Sequence, residues 1–244
     1  MKRLLALTVV ALVGGLVAAS SAAAVDTFCT GYLDGGIYDS IVVSPGAFCR
    51  VDMAEVNGNV SALENSLLVI VDSTIRGSVV GNRANAVLVV GSFVRGDISI
   101  TNGGPSPQTL LEGLGCPLLS ASPLRFTSCE ALVFRTIVDE GNITIQGMVG
   151  SVGIGESRVR RGSLRVRDNI IPAGETLLLL SGTVGLPVAS TVEVSRNTGD
   201  GDKFVSGVVA GEKIQCKDNS GPFSTIAPSE GGINTAPKVK DQCS

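Results

Sequence analysis

The chain has no histidine, no tryptophan and only two tyrosines in 244 residues, and these absences narrow the chemistry before any motif is sought. Without imidazole there is no histidine base for a serine or cysteine nucleophile, and the commonest zinc ligand is missing. Carbohydrate clefts are usually floored by aromatic rings, so an aromatic content of 4% counts against a lectin or a sugar-degrading groove. After the first 24 residues no apolar run is long enough to cross a bilayer. Charge is modest too: a formal net charge of −3 lacks the basic excess that marks a nucleic-acid binder, and no nucleic-acid partner is expected.

What the chain has instead is a repeat. Val56-Asn57-Gly58-Asn59-Val60, Ile75-Arg76-Gly77-Ser78-Val79 and Val94-Arg95-Gly96-Asp97-Ile98 share one pattern: a branched residue, any residue, glycine, a small polar residue and a branched residue. They recur 19 residues apart. Between them lie β-rich runs such as Ser66-Leu67-Leu68-Val69-Ile70-Val71 and Ala86-Val87-Leu88-Val89-Val90, with no helix-type periodicity. The expected fold class is all-β: a single parallel β-helix, or β-solenoid, with right-handed winding, disulfide-tied caps and one inserted loop. At each corner glycine meets two demands, a positive φ for a tight turn and room for the coil above. The next matching glycine, Gly141, comes 45 residues after Gly96, so roughly two coil lengths separate them and a segment is inserted at about 102–130. Asn102-Gly103-Gly104-Pro105 opens it as a loop, and Leu118-Leu119 within it are expected to pack back on the coils. The rhythm then resumes at Gly162, Gly185 and Gly211, with coils lengthening at turns such as Asn197-Thr198-Gly199-Asp200-Gly201-Asp202.

Residues 1–24 read as a signal peptide: Lys2 and Arg3, an apolar stretch over 4–19, then small residues up to Ala24. Its removal leaves no integral membrane segment and places the chain outside the cell or in the cell envelope. Residues 25–50 are expected as an N-terminal cap, 51–216 as the solenoid and 217–244 as a C-terminal cap or tail. Six cysteines in an exported chain suit disulfides better than metal thiolates. Many pairings are open, but the cysteines fall into three local pairs, each bracketing a segment outside the clean repeat: Cys29–Cys49, Cys116–Cys129 and Cys216–Cys243.

Arg158, Arg160, Arg161, Arg165 and Arg167 lie within ten residues and alternate with Val159, Leu164 and Val166. On strands this sends the apolar residues inward and a basic set outward. The position before the repeat glycine reads Asn57, Arg76, Arg95, Glu140, Arg161, which adds Arg76 and Arg95 to a surface edge. Guanidinium forks suit carboxylate, sulfate or phosphate, so the set is a candidate patch for an anionic polymer. The competing reading is a solvated face neutralised by Glu140, Glu156 and Asp168. Carboxylate pairs for glycoside chemistry are limited to Asp139-Glu140, which adjacent strand positions point to opposite faces, and to Asp72 with Asp97. The turn over residues 197–202 crowds enough oxygens to consider calcium but lacks the spacing of an EF-hand. No metal or other cofactor is expected. Asn59-Val60-Ser61 and Asn142-Ile143-Thr144 match a glycosylation pattern, yet both asparagines follow a repeat glycine and read first as repeat positions.

Val56-Asn57-Gly58-Asn59-Val60, Glu140-Gly141-Asn142-Ile143, Asn197-Thr198-Gly199 and Ile214-Gln215-Cys216-Lys217-Asp218-Asn219, with the closing Asp241-Gln242-Cys243, resemble exported bacterial proteins built on Gly-Asn-Val/Leu repeats, of uncharacterised function. Ser78, Asp97 and Ser163 depart from that pattern where it has asparagine. The expectation is a secreted, non-enzymatic protein with a structural or surface-binding role, the partner an anionic polysaccharide or cell-envelope component. The alternative is a carbohydrate-active β-helix enzyme, a polysaccharide lyase or glycoside hydrolase.

Overall fold

A computed structural model describes residues 25–104, 130–180, 188–225 and 233–244. Among them the chain is all-β without a helix, and its strands form three parallel sheets that each take every third strand as far as Arg158–Val159, after which two of the sheets take alternate strands. Sheet A has ten strands, from Asp26–Cys29 to Lys238–Asp241; sheet B has nine, from Gly31–Asp34 to Phe223–Ser224; sheet C has six short ones, from Ile37–Tyr38 to Arg158–Val159. This is the connectivity of a chain wound about one axis, and it fits the expected β-solenoid. The signal-peptide segment 1–24, the Cys116–Cys129 pair, Leu118-Leu119 and Gly185 lie outside the described residues.

The alternation of each strand explains the core. Ile41, Val60, Val79, Ile98, Ile143, Leu164, Val192 and Ile214 occupy one inward column of sheet A, all within 1% of complete burial. Each contributes about 1.5–3 kcal/mol on burial, so a polar replacement in the column is costly. Sheet B is apolar on both faces. Its outward Leu67, Val69, Ala86, Leu88, Leu132 and Phe134 form a second buried cluster, which is why these runs lack the polar alternation of sheet A.

Residues 25–50, expected as a cap, already supply strands to all three sheets, and residues 217–244 add Phe223–Ser224 to sheet B and Lys238–Asp241 to sheet A. Two disulfides close near the two ends of the stack. Cys29–Cys49 and Cys216–Cys243 are each at most 2% exposed, so both bridges sit inside the tube. Disulfides of this kind fit an oxidising, extracellular setting.

The three corners are built differently. At the corner from sheet C to sheet A stand Gly58, Gly77, Gly96, Gly141 and Gly162. None of them has a positive φ, so the first of the two demands expected of glycine is not what selects it. Space selects it. A Cβ at Gly77 would lie 2.6 Å from the Gly58 carbonyl carbon, and one at Gly96 would lie 2.9 Å from the Gly77 oxygen. Those carbonyls accept the N–H of the glycine one coil on: Gly77 donates to Gly58 at 3.0 Å and Gly96 to Gly77 at 2.9 Å. After Gly162 the column is continued by Ser190, whose N–H donates to the Gly162 carbonyl at 3.0 Å. The left-handed conformation belongs to the other corners, mostly at side-chain-bearing residues: Met53, Asp72, Arg135 and Glu156 between sheets B and C, and Arg83, Asn102, Asp168, Arg196 and Asp218 between A and B.

Polar columns stitch the corners together. On the outside, the residue after each glycine caps the backbone of the next coil: Ser78 N–H donates to Asn59 Oδ1 at 2.8 Å, Asp97 N–H to Ser78 Oγ at 3.0 Å, Asn142 N–H to Asp97 Oδ1 at 2.7 Å and Ser163 N–H to Asn142 Oδ1 at 2.9 Å. Asn59 and Asn142 are thus repeat positions, and serine or aspartate substitutes because each keeps one acceptor oxygen. Inside, Asn169 Nδ2 donates to Asn197 Oδ1 at 2.8 Å, Asn197 to Asn219 at 2.9 Å and Asn219 to Gln242 Oε1 at 2.9 Å, while Asn169 and Asn197 are fully buried. A third column of Ser73, Ser92, Thr136 and Ser157 runs between sheets B and C.

Gly77→Ala should lower stability by about 1–3 kcal/mol, the usual cost of overpacking, whereas Gly211→Ala, whose nearest neighbour to a new Cβ is Ser190 Cα at 3.7 Å, should be near neutral; thermal unfolding followed by circular dichroism compares them. Asn197→Ala orphans the Asn169 backbone N–H, leaves its Nδ2 with the Ile145 carbonyl alone, and should cost about 1–3 kcal/mol, read from urea denaturation.

Candidate functional site

The arginine-rich run does not lie on one strand. Arg158 belongs to sheet C, Arg160 and Arg161 turn the glycine corner, and Arg165 and Arg167 point outward from sheet A on strand Ser163–Arg167. Val159, Leu164 and Val166 between them are at most 2% exposed, as the alternation requires. The arginines therefore wrap an edge of the prism.

Most of the corner arginines are neutralised by carboxylates one coil away. Arg76 is paired with Glu55, Arg160 Nη1 lies 3.2 Å from Asp139 Oδ1, and Glu140 sits between two arginines, 3.0 Å from Arg95 Nε and 3.5 Å from Arg161 Nη1. The last arrangement answers how Arg95 and Arg161 share one edge: a carboxylate occupies the rung between them. These pairs are solvent-exposed and worth at most about 1 kcal/mol each, but they use up the local charge. Arg158 differs. Its Nε is buried with no hydrogen-bond partner among the described residues.

The two sheet A arginines have company that the linear sequence hides. Arg167 donates Nε–H to Gln146 Oε1 at 3.1 Å, and Arg165 has no ion pair among the described residues. On the next strands of the same sheet, Lys213 and Lys238 face each other across one rung, Gln215 faces Lys240, and Ser195 faces Lys217. Lys213, Lys238 and Lys240 also lack an ion pair among the described residues, while Lys217 Nζ lies 3.6 Å from Asp218. Glu193, on the rung after Arg165, is the acidic residue on the outward face between them. In contrast, the first six strands of sheet A carry a single charged residue, Asp26. The outer face of sheet A is neutral along its first half and basic along its second.

At the edge of this face Arg196 grips Asp168 with Nε at 2.6 Å and Nη2 at 2.9 Å. The hydrogen bond from Arg196 holds the Asp168 carboxyl below its ordinary value, partly offset by desolvation, with further lowering from the charges of Arg196 and Arg167; the partner guanidinium is raised in turn.

Three of the four carboxylates considered for catalysis are committed elsewhere. Asp97 accepts from Asn142 N–H and Nδ2, Asp139 and Glu140 pair with arginines, and Asp72 stands at the corner between sheets B and C, away from Asp97. In the turn considered for calcium, Asn197 belongs to the buried ladder and the carbonyls of Gly199 and Gly201 accept from Lys203 Nζ at 2.8 and 2.9 Å. Lys203 is 1% exposed, and desolvation pushes its ammonium below the ordinary lysine value while Asp200 and Asp202 oppose the shift. The turn thus holds a cation of its own. Among the described residues no group of three or more acidic or cysteine side chains gathers as a metal site, and no helix is long and apolar enough to cross a membrane.

No family model, no curated protein and no solved structure matches this chain. The site therefore rests on its own geometry.

Asp168 should titrate below the usual carboxylate range in a carboxyl-detected NMR series, and Arg196→Gln should return it upward. A depressed carboxyl stabilises the fold above its unfolded value, about 3.9, and that contribution is lost as pH falls through the lowered folded value; acid unfolding of Arg196→Gln should show less of this dependence.

Proposed function

We propose that the protein is an exported, right-handed β-solenoid without enzymatic activity, which binds an anionic polymer of the cell surface or its surroundings through the basic half of sheet A. One observation carries the reading: Arg165, Lys213 and Lys240 converge on one flat face without ion pairs among the described residues, and Lys213 sits directly across a rung from Lys238. Like charges at directly opposed positions are destabilising, and a bound polyanion relieves them. Strands spaced about 4.8 Å apart set Lys213 and Lys238 one rung apart, with Lys240 beside them and Arg165 and Arg167 two strands before Lys213, a cluster suited to a partner with several closely spaced negative charges. Arg158 lies around the corner. Arg76, Arg95, Arg160 and Arg161, already paired with carboxylates, act as a rim that steers the approach and contributes little affinity. The first 24 residues, the resemblance to Gly-Asn-Val/Leu repeat proteins and the buried disulfides support export.

The test is binding of the processed chain to a panel of polyanions, with polygalacturonate and dextran sulfate against neutral dextran, by titration calorimetry at low and high salt. The expected result is binding that weakens steeply with ionic strength, and at least tenfold weaker binding for the combined Arg165→Ala, Arg167→Ala and Lys213→Ala variant. Arg95→Ala should change the affinity by no more than about threefold. New reducing ends or unsaturated products in the same mixtures would establish the carbohydrate-active alternative instead.

A further inference from the structure

Among the described residues the two ends of the stack present edge strands of different character. At the N-terminal end, strands Asp26–Cys29, Gly31–Asp34 and Ile37–Tyr38 are each the outermost of their sheet and pair on one side only. At the other end, Lys238–Asp241 and Phe223–Ser224 are outermost in sheets A and B. An unpaired strand edge is a template for another strand, and proteins that must not assemble blunt it with lysine, proline or a bulge. The N-terminal edges have none of these, and the C-terminal edge of sheet A carries Lys238 and Lys240, which repel a second basic edge but pair with an acidic one. The N-terminal edge sequences are Asp-Thr-Phe-Cys, Gly-Tyr-Leu-Asp and Ile-Tyr.

The same coil carries large apolar side chains in the open. Val25 and Phe28 are 69% exposed, and Tyr32 and Ile37 are 71% exposed. Phe28, Tyr32 and Ile37 lie on the three different sheets, so the exposed ring encircles the end. Acidic residues accompany it: Asp26, Asp34 and Asp39 are all exposed. The opposite end is basic, with Lys238 exposed beside Lys240 and Lys213.

Register connects these facts. The outward column that begins with Asp26 and Ser40 runs through Asn59, Ser78, Asp97, Asn142, Ser163, Thr191 and Lys213, and ends at Lys238. The column beside it begins at Phe28 and ends at Lys240. If the first coil of a second copy continues the parallel ladder past the last strand, Asp26 faces Lys238 and Phe28 faces Lys240. One is an opposite-charge cross-strand pair, the other a cation over an aromatic ring. Sheet A has ten strands and sheet B nine, so with Asp26–Cys29 on Lys238–Asp241 the second copy's Gly31–Asp34 lies two rungs from Phe223–Ser224, and the strand-to-strand contact is made on sheet A. Head-to-head docking would instead bring Asp26, Asp34 and Asp39 against their own copies.

We propose that the processed chain assembles head to tail, the acidic and aromatic first coil of one copy docking on the basic last strands of the next. Both edges are held by buried disulfides close behind them, Cys29–Cys49 and Cys216–Cys243, so little ordering is needed on docking. A head-to-tail contact is heterologous and does not close on itself when its rotation is that of the winding, so it yields filaments of open length. Repetition of the basic half of sheet A along such a filament would multiply its contacts with a polyanion.

The experiment is sedimentation velocity of the chain beginning at Val25, over a range of concentrations at low and high salt, with electron microscopy of the largest species. The expected result is growth past the dimer with concentration, suppressed by salt. Asp26→Lys alone and Lys238→Asp alone should each weaken association at least tenfold, and the double variant should restore it, with circular dichroism confirming that every variant keeps its β signal. A chain that stays monomeric at all concentrations overturns the proposal, as does a dimer that stops there and is indifferent to Lys238→Asp. Lys238 serves both readings, so they are separated by Asp26→Lys, which removes the assembly contact and leaves every cation of sheet A in place: polyanion binding kept by that variant shows that failure of assembly leaves the polyanion reading standing.

Discussion

Every coil of this protein must lie one strand spacing, about 4.8 Å, from the coils above and below it, so that backbone N–H and C=O groups meet across the gap. Straight segments achieve this with apolar side chains directed inward. Corners are harder, because a turn displaces the backbone groups that would pair. The chain meets the difficulty in three ways. Where coils approach most closely it removes the side chain, at Gly58, Gly77, Gly96, Gly141 and Gly162. Where the turn needs a left-handed residue it accepts Met53, Asp72 or Arg135 and leaves their side chains in solvent. Where a backbone donor has no carbonyl opposite, a neighbouring coil supplies a side-chain oxygen, as Asn142 does for Ser163 and Asn197 for Asn169.

Stacking also governs the charges. A residue and its equivalent one coil on are surface neighbours, so charge alternation along a column is worth more than charge separation along the sequence. Arg95, Glu140 and Arg161 form such an alternating column, and Arg83 with Glu64 and Arg135 with Glu156 repeat the device elsewhere. Lys213 and Lys238 break the rule. Arg76 and Arg95 are also one coil apart, but each has its own carboxylate, Glu55 and Glu140; Lys213 and Lys238 have none among the described residues, which is the physical ground for the partner proposed for the basic half of sheet A.

A solenoid fold hosts enzymes, adhesins and scaffolds alike, so its winding says little about activity. Here Asp97 caps the backbone of the next coil, Asp139 and Glu140 pair with arginines, and the turn over residues 197–202 holds the ammonium of Lys203. The surface presents a long face divided into neutral and basic halves, and two ends of opposite character.

The all-β winding, the inward columns, the corner glycines and two of the disulfide pairs could be read from the amino-acid order, because each depends on residues a coil length apart or on local alternation. The reason for the glycines could not: positive φ and close approach leave the same residue in the sequence, and only the distance to the next coil separates them. After Gly162 the stack places Ser190 in the corner column, a position no glycine marks, since the register of a lengthened coil is decided by its neighbours. The candidate site was half legible. Arg158 to Arg167 announce themselves by proximity in the chain, but that proximity carries them around an edge, where Arg160 and Arg161 meet carboxylates and Arg165 does not. Lys213 and Lys240 join Arg165 from roughly 50 to 75 residues away. The order of residues determined which side chains turn inward; which cations share a face, and which of them lack a carboxylate, was decided only when parallel strands brought distant coils into register.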